Sequence, residues 1–230
     1  MKKRKIWVLI AGLLIVSLAF AGCASNDEPE GEAESQPEEQ VTLKVAATPV
    51  PHAEILNFVK PMLEDEGIIL EVMEFTDYVT PNMALADSEV DANFFQHEPY
   101  LDTFNRERNL ELTSACKVHV EPLGFYSKKI TSMEELEDEA TIAIPNDPTN
   151  EGRALLLLDV KGIIKLEEDA GLEATEKDIA ENPKNLIFKP VDAAQLPRTL
   201  DDVDAAIINT NYALEGDLDP NTDALIMEGS

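Results

Sequence analysis

The sequence predicts an α/β protein with two lobes, and three observations support this class. Strand-like and helix-like segments alternate from residue 41 onwards, as in βαβ units that build a mostly parallel sheet with helices on both faces. A largely extended segment at 111–130 interrupts the alternation, which then starts afresh. The apolar fraction is 44%, enough for a folded core despite a formal net charge of −28. We therefore expect a cleft between two series of βα units.

The first series contains three predicted strands and two predicted helices. The strands are predicted at 41–50, 68–75 and 90–95, and the helices at 53–67 and 80–89. The first helix carries apolar residues at helical spacing and ends at a glycine: Ile55, Leu56, Val59, Leu63 and Gly67.

The second series follows the extended segment. Helices are predicted at 131–139, 152–166 and 193–202, and strands at 140–147, 185–191 and 203–214. Ligands of open α/β sheets bind beyond the carboxyl ends of strands. The loops after Phe95, Pro145 and Ile208 are therefore the expected positions of a site.

The N-terminus predicts a targeting signal over residues 1–22 and an acidic disordered tether over 23–40. Four basic residues precede an apolar stretch, and two small residues precede Cys23, an arrangement that resembles the bacterial lipobox, in which the cysteine is diacylated on sulfur. Plain secretion and an uncleaved membrane helix are the alternatives, although a permanent span needs about 20 apolar residues. Residues 24–40 hold seven acidic residues and no basic one, which favours an extended chain.

Composition excludes several functions. The acidic balance argues against nucleic acid as a partner, because phosphates are bound by clusters of Lys and Arg. The sequence contains no nucleophile elbow, zinc-protease motif or phosphate loop, so we expect no enzyme and no cofactor. Cys116 is expected to be inert. His52, His97 and His119 are far apart, so a metal site requires distant residues to converge, and none is predicted.

Aromatic and polar-tipped residues follow the third predicted strand. Phe94 and Phe95 alone could belong to the core, since buried aromatics dominate cores. Consecutive strand residues face opposite ways, however, so one of the two rings must point away from the core face. His97 and Tyr100 add polar tips to the same loop. This composition predicts the wall of a small-molecule pocket.

Two further groups could bind a charged ligand. Arg153 lies near a predicted helix start, where a cation opposes the helix dipole unless an anion such as a carboxylate is bound there. The simpler alternative for this segment is helix capping by Thr149 or Asn150. Asn209 and Asn211 follow an apolar strand, where they could form a turn or bind the ammonium and carboxylate of an amino acid.

Five segments together resemble the methionine-binding lipoproteins of bacterial ABC importers. They are PHAEIL (51–56), DYVTPNMAL (77–85), VDANFFQHEPYL (90–101), IPNDPTNEGRALLLL (144–158) and INTNYA (208–213). The resemblance covers about residues 41–214 and implies a two-lobed fold like that of type II periplasmic binding proteins, with lobe 1 at 41–125 and lobe 2 at 126–230. It also implies that the lobes close on methionine and deliver it to a membrane permease and its ATPase, on the extracytoplasmic face of the cell membrane.

The resemblance also implies specific ligand contacts. An aromatic wall for the thioether would consist of Tyr78, Phe94, Phe95, His97 and Tyr100, and a polar clamp on the amino-acid backbone of Asn150, Arg153, Asn209 and Asn211. Family members continue past residue 230 with a further strand and helices, so we expect a chain truncated at its C-terminus. The alternatives are a binder of another amino acid or of a short methionine-containing peptide, a truncated non-transporting surface lipoprotein, and a hydrolytic enzyme.

Overall fold

The structure is a computed structural model that describes residues 40–229. Within this range, no helix has both the length and the apolar composition needed to cross a membrane. The predicted signal, Cys23 and the predicted tether up to residue 39 lie outside the described residues.

Lobe 1 is built on a three-stranded parallel sheet with the spatial order β2-β1-β3. Its elements, in chain order, are β1 (Val41–Ala47), α1 (Glu54–Glu64), β2 (Ile68–Glu74), α2 (Thr80–Ala86), β3 (Ala92–Phe94) and α3 (Glu98–Arg108). The central strand β1 is buried at its carboxyl end, where Val45, Ala46 and Ala47 are almost fully covered. The loop that follows β1 therefore starts from inside the protein.

Lobe 2 is built on a five-stranded mixed sheet with the order β10-β4-β9-β5-β8. Its elements are β4 (Leu123–Tyr126), β5 (Thr141–Pro145), α4 (Pro148–Val160), β6 (Lys165–Leu166), β7 (Ile179–Glu181), β8 (Ile187–Val191), α5 (Leu196–Thr199), β9 (Ala205–Asn209), α6 (Thr210–Glu215) and β10 (Ala224–Met227). Strand β5 pairs in parallel with β8 and β9, whereas β4 runs antiparallel to β9 and β10. The short strands β6 and β7 form a separate antiparallel pair. The predicted boundary between the lobes, after residue 125, falls inside β4.

The central strands β5 and β9 of the second sheet are buried on both faces, which explains their continuous apolar runs. Ile142 and Ile144 face one side and pack with Leu155 and Leu158 of α4. Ala143, between them, faces the other side, where α5 and α6 pack. Successive strand residues point to opposite faces, so a strand covered by helices on both sides needs apolar residues at every position.

Helix α1 confirms the predicted helix but is covered less than its apolar pattern suggests. Ile55, Leu56, Val59 and Leu63 are only half-buried, and the helix has no fully buried residue. Phe58 and Met62 of the same helix are 71% and 54% exposed.

Two predicted elements are wrong in whole or in part. The helix predicted at 131–139 is a single 3-10 turn (Met133–Glu135), because the chain turns extended at Leu136 to bury that side chain in the core of lobe 2. The helix predicted at 152–166 ends at Val160, because Gly162 adopts a positive φ of 72° and the chain continues into β6.

Other elements are shorter than predicted or were not predicted. The strand predicted at 203–214 ends at Asn209, where α6 begins. Within the extended segment 111–130, all of which the structure describes, β4 is the only strand or helix. Helix α3 and the strands β6, β7 and β10 have no counterpart in the sequence prediction.

Candidate functional site

The predicted site residues are supplied by loops that follow strands, as expected for open α/β sheets. Tyr78 follows β2, and Phe94 and His97 lie at the end of β3. Asn150 lies in the first turn of α4, directly after β5, and Asn209 is the last residue of β9. Both lobes therefore contribute to one group of side chains.

Tyr78 is the centre of an aromatic cluster that joins the two lobes. Its ring centroid lies 5.8 Å from that of Phe95, 5.9 Å from Tyr100 and 4.9 Å from Tyr212. Its hydroxyl donates a hydrogen bond of 2.5 Å to Oδ1 of Asn211, and the hydroxyl of Tyr100 donates to the carbonyl of Tyr78 at 3.0 Å. Rings of this kind offer an apolar surface and sites for contact with sulfur.

Phe94 and Phe95 face opposite ways, as predicted for consecutive strand residues. Phe95 is 7% exposed and packs with Tyr100 and Phe104. Phe94 instead packs edge-on against His52, with the ring centroids 4.7 Å apart. Phe95 therefore belongs to the aromatic cluster, whereas Phe94 packs with a separate group that contains histidines.

The polar residues are held by the start of α4. Asp147 caps this helix, since its Oδ1 accepts the backbone N–H of Asn150 at 3.1 Å. The side-chain amide of Asn150 donates to both oxygens of Asp147 at 2.9 Å. Oδ1 of Asn150 in turn accepts from Nη1 of Arg153 at 2.9 Å and from Nδ2 of Asn209 at 3.0 Å. The residues that cap α4 and those predicted to bind the ligand backbone therefore belong to one hydrogen-bond network.

Arg153 is an ion-pair partner of Glu228. Its Nε and Nη2 donate to the two carboxylate oxygens of Glu228 at 3.1 and 2.5 Å, and Nη2 also donates to the carbonyl of Glu121 at 2.9 Å. The Arg153 side chain is 12% exposed and that of Glu228 26%. A guanidinium has five N–H donors, and these bonds with that to Asn150 occupy four of them. One N–H, on Nη1, remains for a ligand.

Buried polar atoms that have no partner concentrate at this site. In residues 40–229 they are Nε2 of His97, Oδ1 of Asn209, Nδ2 of Asn211 and the hydroxyl of Tyr126. The first three belong to residues predicted from the sequence to bind a ligand. An unpaired buried donor or acceptor costs about 1–3 kcal/mol, so such atoms usually have a bound partner in the working protein.

Burial favours the neutral form of two titratable groups of the site, His97 and Tyr78. It lowers the pKa of His97 to about 4, with a further lowering from Arg153 that Glu228 opposes. Burial also raises the pKa of Tyr78 well above its usual value. His97 is therefore a neutral imidazole, and Tyr78 an intact hydroxyl donor, at neutral pH.

A second polar group lies next to Phe94 and consists of His52, His119 and Glu121. Nε2 of His119 lies 2.6 Å from Oε1 of Glu121, and Nε2 of His52 lies 3.3 Å from the same oxygen. Nδ1 of His52 is hydrogen-bonded to Oγ1 of Thr48 at 2.6 Å. Burial, followed by His119, lowers the pKa of His52 to about 4, and burial raises that of Glu121. His52 and His119, which are far apart in the sequence, therefore do converge.

Side chains of the two lobes contact each other at the predicted site. Two surface depressions, of about 570 and 430 Å³, lie at residues 105–111 and 169–178, and none of the predicted ligand residues lines either of them. At the site itself, Tyr78 of lobe 1 contacts Asn211 and Tyr212 of lobe 2.

Comparison with known proteins establishes the family. Residues 43–230 match the family described as NlpA lipoprotein. This chain belongs to the NlpA lipoprotein family. The resemblance to methionine-binding lipoproteins predicted from the sequence is confirmed, and so is the two-lobed α/β fold.

Relatives of this NlpA lipoprotein carry informative names. The chain is 53% identical over 165 residues to a probable D-methionine-binding lipoprotein MetQ of Vibrio cholerae, covering 72% of this chain and 61% of that protein. A nutrient-binding protein from Burkholderia cenocepacia, solved bound to methionine, is 49% identical with a TM-score of 0.79, covering 81% of this chain and 79% of that one. An ABC transporter periplasmic substrate-binding protein from Coxiella burnetii is 46% identical with a TM-score of 0.78, covering 81% and 79%.

Sequence reasoning missed three residues of the site in this NlpA lipoprotein. Tyr212 had a signal, since it follows Asn211 directly, but a strand was predicted there instead of α6. Glu228 and Glu121 had none, because each reaches Arg153 only through the pairing of β4 with β10 and the path of the segment before β4. Contacts between segments so far apart along the chain leave no local pattern.

Proposed function

We propose that this chain is the substrate-binding lipoprotein of an ABC importer and that it binds methionine between its two lobes. The observation that carries the proposal is the set of unpaired buried atoms on His97, Asn209 and Asn211. Asn209 offers an acceptor and Asn211 a donor, which match the ammonium and the carboxylate of an amino acid. The names of the relatives support methionine as that amino acid.

Arg153 holds the ligand carboxylate through its remaining Nη1–H. Glu228 already takes the edge of the guanidinium formed by Nε and Nη2, so the ligand carboxylate expected at Arg153 meets only Nη1. The ion pair fixes the guanidinium plane, so its last donor is already oriented when the ligand arrives. Asn150 connects this donor to Asn209, which gives the two ends of the clamp a common support.

The aromatic cluster provides the wall for the methionine side chain. Tyr78, Phe95 and Tyr100 surround one region with ring faces and edges, and His97 borders it at 6.3 Å from Tyr100. A thioether gains about 0.3–1.5 kcal/mol from each good contact with an aromatic ring. Phe94, also predicted for this wall, packs against His52, with the ring centroids 4.7 Å apart.

The same proposal covers location and partners. Residues 1–22 act as the export signal, and Cys23 carries the lipid that holds the protein on the outer face of the cell membrane. The acidic segment up to residue 40 extends the folded part away from that surface. The partners are the permease and its ATPase, and the ligand is delivered chemically unchanged.

Calorimetric titration of the full chain tests the ligand. Methionine is expected to bind about a hundredfold more tightly than alanine, because it buries about three more groups at roughly 0.8 kcal/mol each. Tyr100→Ala should reduce the difference in affinity between methionine and alanine, whereas Asn209→Ala should lower the affinity for both ligands about equally. Arg153→Ala should weaken both by at least about tenfold, and Arg198→Ala, an exposed arginine of α5, is the matched control. Equal affinity for alanine and methionine would contradict the proposal.

A further inference from the structure

We propose that His52, His119 and Glu121 form a binding site for one divalent transition-metal ion, with Zn²⁺ the best match. One ligand atom from each residue lies within 4.8 Å of the other two. His52 follows β1 in lobe 1, whereas His119 and Glu121 belong to the segment that leads into β4. The site is therefore built where the chain passes from one lobe to the other, and none of its three side chains is among those proposed to contact methionine.

The donor set selects the class of metal. Two imidazole nitrogens and one carboxylate oxygen form the three-ligand set that zinc sites with an open fourth position use. Hard cations such as Ca²⁺ and Mg²⁺ prefer sites made of oxygen atoms alone. Imidazole ligands favour Zn²⁺ and its neighbours in the first transition row.

Surrounding residues already orient the buried ligand. Oγ1 of Thr48, which is fully buried, lies 2.6 Å from Nδ1 of His52. Metal-bound histidines typically donate their second ring N–H to such an oxygen, which fixes the tautomer and leaves the other nitrogen free for the metal. Phe94 packs edge-on against both imidazoles, with centroid distances of 4.7 Å to His52 and 5.5 Å to His119.

The distances fit a zinc ion after a small movement. Ligands of tetrahedral zinc at about 2.0–2.1 Å lie about 3.3–3.5 Å from each other. Nε2 of His52 and Oε1 of Glu121 already lie 3.3 Å apart. Nε2 of His119 lies 2.6 Å from that oxygen and must move outward by less than about 1 Å. His119 is the more exposed histidine, so it can move, and solvent can reach the fourth position.

Titration of the full chain with Co²⁺ and Zn²⁺ tests the site directly. The chain is purified in detergent without a polyhistidine tag and treated with a chelator beforehand. Co²⁺ is expected to bind at one site with the visible absorption of a tetrahedral ion, and Zn²⁺ to displace it. A thousandfold excess of Ca²⁺ should leave the signal unchanged, whereas its loss would show binding to scattered carboxylates and overturn the proposal.

Single substitutions show which residues bind the metal. His119→Gln and Glu121→Gln should each weaken Zn²⁺ binding by at least about tenfold, since even losing a residue that only orients a ligand costs 10–100-fold. His97→Gln is the matched control, because this histidine lies in the aromatic wall, and it should bind Zn²⁺ like the unaltered chain. Equal affinity in all three variants would overturn the proposal.

A measurement on the unaltered chain removes any dependence on the folding of the variants. In spectra that resolve the imidazole ¹⁵N signals, Zn²⁺ should shift those of His52 and His119 and leave those of His97 in place. A shift confined to His97, or no shift at saturating Zn²⁺, would contradict the site. Neither readout requires methionine, so the outcome is independent of the proposed function.

Discussion

His97 is a neutral imidazole whose burial makes protein stability depend on pH. Its folded pKa is about 4, below the ordinary value of 6.5, because burial and Arg153 disfavour the charged form while Glu228 favours it less strongly. Between these pH values, the unfolded chain binds a proton at this position that the folded chain does not. The contribution of His97 is therefore complete above about pH 6.5 and is lost as the pH falls towards 4.

Replacement of His97 isolates this contribution. Urea unfolding of the unaltered chain should show a free energy that falls between pH 6.5 and 4.5, with at most about 3 kcal/mol of the fall due to His97. In His97→Gln this part of the slope should disappear, since glutamine does not titrate. Parallel curves for the two proteins across this range would show that His97 titrates normally in the folded chain.

The site residues differ in how far the sequence could reveal them. Asn209, Asn211 and His97 were predicted as ligand contacts because polar groups directly after apolar strands are visible locally, and each has an unpaired buried atom in the structure. The ion-pair partner of Arg153 could not be predicted in this way. Its partner Glu228 lies 75 residues away along the chain, so only the folded sheet shows which edge of the guanidinium is free.

At the level of elements, helix α4 depends on a close approach that only glycine allows. A Cβ on Gly152 would lie 2.1 Å from the carbonyl oxygen of Leu172 and 2.5 Å from its carbon, and both are backbone atoms. From the sequence alone, Gly152 is merely a small residue near a helix start. The structure shows that its missing side chain lets the segment before β7 pack on α4.

Gly152→Ala should therefore destabilise the protein, although alanine is the better helix former. Moving the backbone at Leu172 should cost about 1–3 kcal/mol or more, which exceeds the roughly 1 kcal/mol gained from helix propensity. Gly171→Ala is the matched control, because a Cβ there meets nothing within 4 Å, and it should change stability by less than about 0.5 kcal/mol. Thermal unfolding of both variants measures this difference. Equal stability of Gly152→Ala and Gly171→Ala would contradict the packing argument.

Strands that are buried on both faces were easier to predict than partly exposed helices, for a physical reason. Strands β5 and β9 are buried on both faces, so their continuous apolar runs are unmistakable. Helix α3 begins in a polar loop and exposes much of its surface, which hides its periodicity. The segment 131–139 shows the opposite error, since its many glutamates favour a helix while a single buried contact, at Leu136, decides the local structure.

For the whole molecule, the dominant electrostatic feature is the excess of 46 acidic over 18 basic residues. Like charges repel one another in the compact state, and added salt screens this repulsion over a Debye length that falls from about 30 Å at 0.01 M to about 3 Å at 1 M. The unfolding temperature should therefore rise between 0.01 and 1 M NaCl. Exchanging several exposed glutamates, such as Glu64, Glu66 and Glu89, for glutamine should reduce the rise. A fall in the unfolding temperature with salt would mean that the ion pairs outweigh the repulsion.

The tyrosines that bridge the lobes bear on how selective the protein can be. Tyr78 donates to Oδ1 of Asn211, and Tyr212 donates to the carbonyl of Thr76 at 3.2 Å, so neither bond uses an atom assigned to the ligand. These bonds stabilise the closed arrangement of the two lobes, and this stabilisation is the same for every ligand that fits. The apparent dissociation constant of each ligand is the intrinsic one divided by the closed fraction, and this fraction cancels in a ratio of two ligands. Strengthening the bridge would thus tighten binding of methionine and of its competitors alike, and discrimination remains with the residues that touch the side chain.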